Sequence, residues 1–333
     1  MNEMFSLLKQ GNKPSLLAGV VNAVIAIIKA VAFFFTGNVA MFAETMHSLG
    51  DAANQFFVYI GSALSKKAPT PQYPNGFGRV VNLVCLGAVI VVAIMSYEAI
   101  KEGWSHIMNP TETKGLLINL SVLGVATLLE FSVLLKASKE ISRDSGENYK
   151  GLRAFLFSLT HLNRAKPATK LVFMEDLVAT IGGILAFLSV LIAHFTGFFA
   201  AEGIASMVIG IMMFYVVGRI FLENARGAIG ETDEEMMNHI AHIVAEDPDI
   251  KDIQKVEVLK EGEYLHVEVV AEVDPSKTVA YVDDVRDRLM MIILKQRGVK
   301  EALISFDEDD GIRTWKGTNS NDKSVETFKK LPK

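Results

Sequence analysis

The chain has 333 residues, half of them hydrophobic, with a formal net charge of -5 and one cysteine. The acidic balance argues against a nucleic-acid partner. The lone Cys85, set in an apolar run, excludes an intrachain disulfide framework and any cysteine-based zinc cluster. From about Ser15 to Leu222 long apolar runs alternate with short polar joints, whereas after Gly230 no run reaches the roughly 20 residues that span a bilayer.

The pattern predicts a polytopic α-helical membrane protein with a small soluble domain. Residues 1–14 form a short, lightly basic N-terminus, and no small-residue cleavage site follows the first apolar run. Six spans are expected: about Ser15–Phe35, Val39–Leu64, Val80–Ile100, Gly115–Lys136, Leu171–Phe195 and Phe198–Leu222. Thr36-Gly37-Asn38 closes the first, and Lys66-Lys67 with Pro69, Pro71 and Pro74 closes the second. A polar segment, Ala137 to Lys170, separates the fourth from the fifth. Lys and Arg concentrate before span one, between two and three and between four and five, which puts both termini in the cytoplasm.

The region 15–229 is therefore expected to be the transmembrane domain and 230–310 a cytoplasmic α+β domain of order αββαβ, ferredoxin-like or metallochaperone-like. Its elements are read as a helix at Asp233–Ala245, strands at Ile253–Leu259 and Tyr264–Val273, a helix at Val279–Lys295 and a strand at Ala302–Phe306. Two helices on one face of a small mixed sheet would bury that pattern. Residues 311–333 are expected to be a flexible tail.

The chemistry concentrates in span two. Glu44, His47, Asp51 and Asn54 follow i, i+3, i+7, i+10 and make one polar stripe on an apolar helix. Ionisable groups at membrane depth are costly and face a partner, an ion or water. A neutral imidazole and a carboxylate one turn apart are two ligands for a divalent transition metal. Glu44 is read as a weaker ligand, a relay or an access group, and Asn54 as structural or pore-lining. Span five adds Glu175 and Asp176, followed by Gly182 and Gly183 for close helix packing. His47, Asp51, Glu175 and Asp176 together compose a tetrahedral oxygen/nitrogen site that suits Zn²⁺, with Co²⁺, Fe²⁺ and Mn²⁺ as alternatives. Because imidazole must be neutral to bind metal, protons compete for the site. Lys29 and Glu130 are read as a buried pair or as snorkelling groups, Glu202 as interfacial, and His106, His161 and His194 as surface histidines. His239, His242 and His266 are read as exposed or interface histidines.

These residues resemble the cation diffusion facilitators, a six-span zinc-transporter family, in the branch that includes the mitochondrial zinc transporter of animals. The match lies in Thr36-Gly37-Asn38-Val39-Ala40, Glu44-Thr45-Met46-His47-Ser48-Leu49-Gly50-Asp51-Ala52-Ala53-Asn54-Gln55, Asn75-Gly76-Phe77-Gly78-Arg79 and Glu175-Asp176. The resemblance implies a homodimer associating through its cytoplasmic domains, alternating access, and a transport site of His47, Asp51 and Asp176. Where many members place a His or Asp one turn before the Asp of span five, this chain has Val172, which leaves Glu175 as the substitute fourth ligand. The loop 72–78 and the stretch 303–307 lack the histidines of the family's auxiliary sites, so the soluble domain is expected to act as a dimerisation module. The function expected is proton-coupled Zn²⁺ export, without enzymatic activity or prosthetic group, in a bacterial inner or plasma membrane. The alternatives are a Mn²⁺, Fe²⁺ or Co²⁺ exporter and a non-transporting metal sensor. No His-Glu-x-x-His motif supports an intramembrane metallohydrolase.

Overall fold

A computed structural model describes residues 2–162, 167–262 and 264–315. Among these residues the element order is α1 (Asn2–Leu8), α2 (Lys13–Thr36), α3 (Val39–Leu64), α4 (Val80–Met108), α5 (Leu116–Asp144), α6 (Leu152–His161), α7 (Pro167–Thr196) and α8 (Ala200–Ile229). It continues with α9 (Glu234–Ala245), β1 (Ile250–Glu261), β2 (Tyr264–Val273), α10 (Val279–Ile293) and β3 (Val299–Glu308). The chain divides into two compact units between Ala228 and Ile229.

The first unit is a helical bundle. Among the described residues, five helices are long and apolar enough to cross a membrane: Lys13–Thr36, Val80–Met108, Leu116–Arg143, Val172–Thr196 and Ala200–Ile229. The expected span at Val39–Leu64 is a helix of 26 residues, yet it falls outside that class. Its polar stripe lowers its mean hydropathy. It packs along α2 and α4 and also meets α7, so many of its side chains face protein instead of lipid.

Local chemistry explains the tight joint between α2 and α3. Gly37 takes the left-handed conformation (φ 69°), which lets its N–H donate back to the Phe33 carbonyl at 2.7 Å. Asn38 then caps α3, its side chain accepting from the Met41 N–H at 2.7 Å. A single apolar cluster draws on all six long helices, with Ala32, Met41, Ala99, Leu123, Val190 and Ile209 among its buried members. Small residues set the closest crossings, as is usual where lipid offers no hydrophobic drive between helices. A Cβ added to Gly203 would lie 2.6 Å from the Gly103 carbonyl oxygen, and one added to Gly210 would lie 2.6 Å from Ile100 and 2.9 Å from the Ser96 carbonyl.

The segment expected to be merely polar is more ordered than its composition suggests. Helix α5 runs on to Asp144, and α6 occupies Leu152–His161. Ala154 and Ser158 of α6 are buried, and Ser158 Oγ lies 3.1 Å from the Ser138 carbonyl of α5. A second cluster of Leu134, Ala137, Ile141 and Phe173 gathers Phe155 and Leu162 around it. The amphipathic spacing of α6 is short and flanked by charge, which hides it in the sequence. Arg164 and Lys166 of the basic loop lie outside the described residues.

The second unit matches the expected helix–strand–strand–helix–strand order. Its sheet has the order β1-β2-β3, with β1 antiparallel and β3 parallel to the central β2. Two consecutive strands can form a hairpin, whereas the parallel pair needs a crossover, here α10. Val267, Val269 and Ala271 of β2 are fully buried against Ile240 and Val244 of α9 and Val285, Leu289 and Ile293 of α10. The first residues of the expected loose tail are pinned: the Thr314 and Trp315 N–H groups donate to the Asp252 carboxylate, and Trp315 packs on the core. Residues from 316 onward lie outside the described residues. His239 Nε2 lies 3.0 Å from Gln296 Oε1, His266 Nδ1 lies 3.5 Å from Glu301, and His242 is exposed.

An ionic latch joins α10 to the loop before β1. Arg288 makes two hydrogen bonds to Asp247, at 3.0 and 2.6 Å, and a third to Asp249 at 2.7 Å, while the Tyr281 hydroxyl donates to Asp249 at 2.6 Å. The Tyr281 hydroxyl and the Arg288 guanidinium hold the Asp249 carboxyl below its usual range. The latch is thus complete above the ordinary carboxylate pKa, about 3.9, and is lost as pH falls through the lowered value. Hydrogen-exchange protection of α10 in the full chain is expected to drop in that acid window, and Asp249→Asn should weaken the dependence. Gly203→Val is expected to destabilise the bundle by roughly 1–3 kcal/mol through overpacking, read as a lower midpoint of thermal unfolding in detergent.

Candidate metal centre

Helix α3 supplies the first half of the centre. His47 and Asp51 stand one turn apart, with Nε2 3.5 Å from Asp51 Oδ2. The His47 side chain is 8% exposed and that of Asp51 44%, so the pair grades from closed to open along the helix. His47 Nε2 is buried and has no hydrogen-bond partner. Asn54, a turn further on, is partly buried.

Helix α7 supplies the second half. Asp176 Oδ2 is buried without a hydrogen-bond partner. Asp176 feels the charges of Asp51, Glu130 and His47, and Glu175 feels those of Asp51, Asp176 and Glu223 of α8. Val172 is exposed. The four residues expected to form a site thus occupy one electrostatic neighbourhood. Among the described residues, however, no three His, Cys, Asp or Glu side chains converge tightly enough to hold an ion in this conformation.

Glu44 has a different partner from those expected. Its Oε2 lies 2.7 Å from the Lys29 ammonium of α2, and the same ammonium lies 3.0 Å from Glu130 Oε1 of α5. Lys29 is fully buried and Glu44 is 1% exposed. The buried-pair reading of Lys29 and Glu130 is therefore correct, and Glu44 makes it a triad. The spacing of the polar stripe groups Glu44 with His47 and does not reveal this link. Charge balance was the available signal, since one lysine and two glutamates at membrane depth call for mutual neutralisation. Gly182 and Gly183 do serve close packing: a Cβ on Gly182 would lie 2.8 Å from Glu44 Oε1, and one on Gly183 would lie 3.2 Å from Glu130 Oε2 and closer still to Thr127 Oγ1.

Two residues read as interfacial or surface groups are buried. Glu202 is 1% and His106 6% exposed. The Thr113 hydroxyl donates to Glu202, and His106 Nε2 lies 3.2 Å from the Phe199 carbonyl and 4.0 Å from Glu202. The close glycine crossing of α4 and α8 draws these helix ends together and encloses them. His161 stacks on Phe157 at a centroid distance of 4.1 Å, and His194 is exposed as expected.

The profile of the cation efflux transmembrane domain matches residues 15–227. The Proton-coupled zinc antiporter SLC30A9, mitochondrial, of Xenopus laevis is 25% identical over 272 residues, covering 80% of this chain and 47% of that protein. Its Homo sapiens counterpart is 24% identical over 259 residues, covering 76% and 44%. The Zinc transporter ZitB of Escherichia coli is 23% identical over 285 residues, covering 81% and 80%. The chain spans less than half the length of the SLC30A9 relatives. With a family profile matching well over half its length and long apolar helices to carry it, the chain is an integral, multi-pass membrane protein that belongs to the cation efflux family.

Proposed function

We propose that this protein is a secondary transporter that exports a divalent transition-metal ion, Zn²⁺ first among them, in exchange for protons. The observation that carries the reading is the pairing of His47 and Asp51 on α3 with the Asp176 carboxylate of α7 within their electrostatic reach. His47 Nε2 and Asp176 Oδ2 are buried without hydrogen-bond partners. Buried polar atoms without partners are rare and call for an explanation. A passing cation supplies one. The names of the zinc-handling relatives support the choice of metal.

In this reading His47, Asp51 and Asp176 hold the ion and Glu175 completes the set, with Glu44 as the weaker candidate. Imidazole nitrogen and carboxylate oxygens suit Zn²⁺, and the absence of thiolate from the set favours release. Since the side chains do not close on an ion in this conformation, a movement of α7 against α3 is what completes the site. Protonation of His47 or of a carboxylate opposes that closure, which couples the ion to protons. All six long helices, α3 included, then cross the bilayer, with residues 15–229 as the membrane domain and 230–310 as a cytoplasmic dimerisation domain. The basic joints put both termini in the cytoplasm of a bacterial cell.

His47→Ala is expected to abolish zinc uptake into proteoliposomes driven by a proton gradient, while the protein still elutes as a folded species in detergent. Wild-type flux from that variant would refute the assignment. His47→Asp is expected to move preference toward Mn²⁺, because a carboxylate is the harder ligand. Competition of Mn²⁺ against labelled zinc measures the shift. Zinc bound at equilibrium with no flux under any gradient would identify a sensor instead.

A further inference from the structure

The triad of Lys29, Glu44 and Glu130 lies beside the candidate metal centre, and two of its members, Lys29 and Glu130, have no part in that centre. Its placement follows from helix geometry. Glu44 is three residues before His47 on α3, so it sits about 4.5 Å nearer the Thr36–Val39 end of the bundle. Gly183 is seven residues beyond Asp176 on α7, which runs the other way, so it lies about 10 Å nearer the same end. The triad therefore forms the next layer from the centre toward that end.

Three oxygens in this layer are spare. Glu44 Oε1, Glu130 Oε2 and Thr127 Oγ1 are all buried and without hydrogen-bond partners. All three lie against the backbone of Gly182 and Gly183, where any Cβ would collide with Thr127 Oγ1 or crowd the carboxylates. The other oxygen of each carboxylate is held by the single ammonium of Lys29, at 2.7 and 3.0 Å. An ion-binding layer of this composition has donors from α3 and α5, a floor without side chains from α7, and a cation already present in tethered form.

We propose that Glu44, Glu130 and Thr127 form a second cation station, closed in this conformation by the Lys29 ammonium, and that a transported ion displaces this ammonium as it leaves His47. The station has oxygen donors only, so it takes a hard divalent cation more readily than the imidazole-containing centre does. Lys29 thereby acts as a plug whose charge repels an ion until the metal centre delivers one. The proposal rests on the transport reading for its direction of travel, while the station itself can be tested by equilibrium binding.

The experiment measures Mn²⁺ bound per protomer by the full chain in detergent. Lys29→Met is expected to bind one more equivalent than wild type, and Glu130→Gln added to Lys29→Met is expected to remove it. Lys29→Arg, which keeps the charge, is expected to bind as wild type does. No gain in Lys29→Met overturns the proposal. If Lys29→Met does not yield folded protein, the isosteric single variant Glu130→Gln decides. It is expected to lower maximal zinc flux at least tenfold while the half-saturating zinc concentration stays within twofold. Unchanged flux, or equal loss of flux and of zinc affinity, overturns the proposal. Wild-type flux, measured alongside, reports on the transport reading separately: a wild type that moves no zinc ends that reading, and the binding arm still decides the station.

Discussion

A lysine ammonium with no contact with solvent must have an anion beside it, and this requirement orders the centre of the bundle. Lys29 of α2 has two, Glu44 from α3 and Glu130 from α5. Removing Lys29 would strand two buried carboxylates without their cation, and breaking a buried pair in this way is typically worth about 3–5 kcal/mol of destabilisation. The triad therefore fixes the relative register of three helices at the depth where the candidate metal ligands begin. His47 follows one turn later on α3, and its orientation toward α7 is inherited from the helix that Lys29 holds.

Small residues supply the complementary constraint. Gly103, Gly203 and Gly210 bring α4 and α8 into near backbone contact, and Gly182 and Gly183 bring α7 against the carboxylates. Between lipid tails that solvate apolar side chains as well as protein does, such close van der Waals approach is a main source of helix association. Bulk has little place at these crossings. Charge holds α2, α3 and α5, and close fit holds α4, α7 and α8, while an apolar cluster shared by all six helices fills the remaining space.

Much of this was visible before any coordinates. Long apolar runs announce the membrane helices, and the Thr36-Gly37-Asn38 joint announces its own conformation through glycine and a capping asparagine. Period-two alternation locates both strands: β2 has the expected ends, and β1 runs beyond Ile253–Leu259 on both sides. The stripe of Glu44, His47 and Asp51 was legible from spacing alone, but spacing records which residues share a helix face and says nothing of what stands opposite. That is why Glu44 was grouped with His47 when its partner is Lys29 on another helix. The same limit hid His106 and Glu202, which are buried where Gly103 of α4 meets Gly203 of α8, two positions a hundred residues apart in sequence. Helix α6 escaped notice because ten residues hold too few turns for a clear periodicity amid flanking charge.

The joint between α2 and α3 has a dynamic corollary. Gly37 and Asn38 satisfy the helix ends on both sides of the bend, and the Lys29–Glu44 pair staples the two limbs further along. Two rods fastened at the tip and again partway down behave as one stiff lever. A rearrangement that keeps this pair intact carries Lys29, Glu44 and His47 as common cargo of that lever, and flexing then falls on the contacts that it makes with α7.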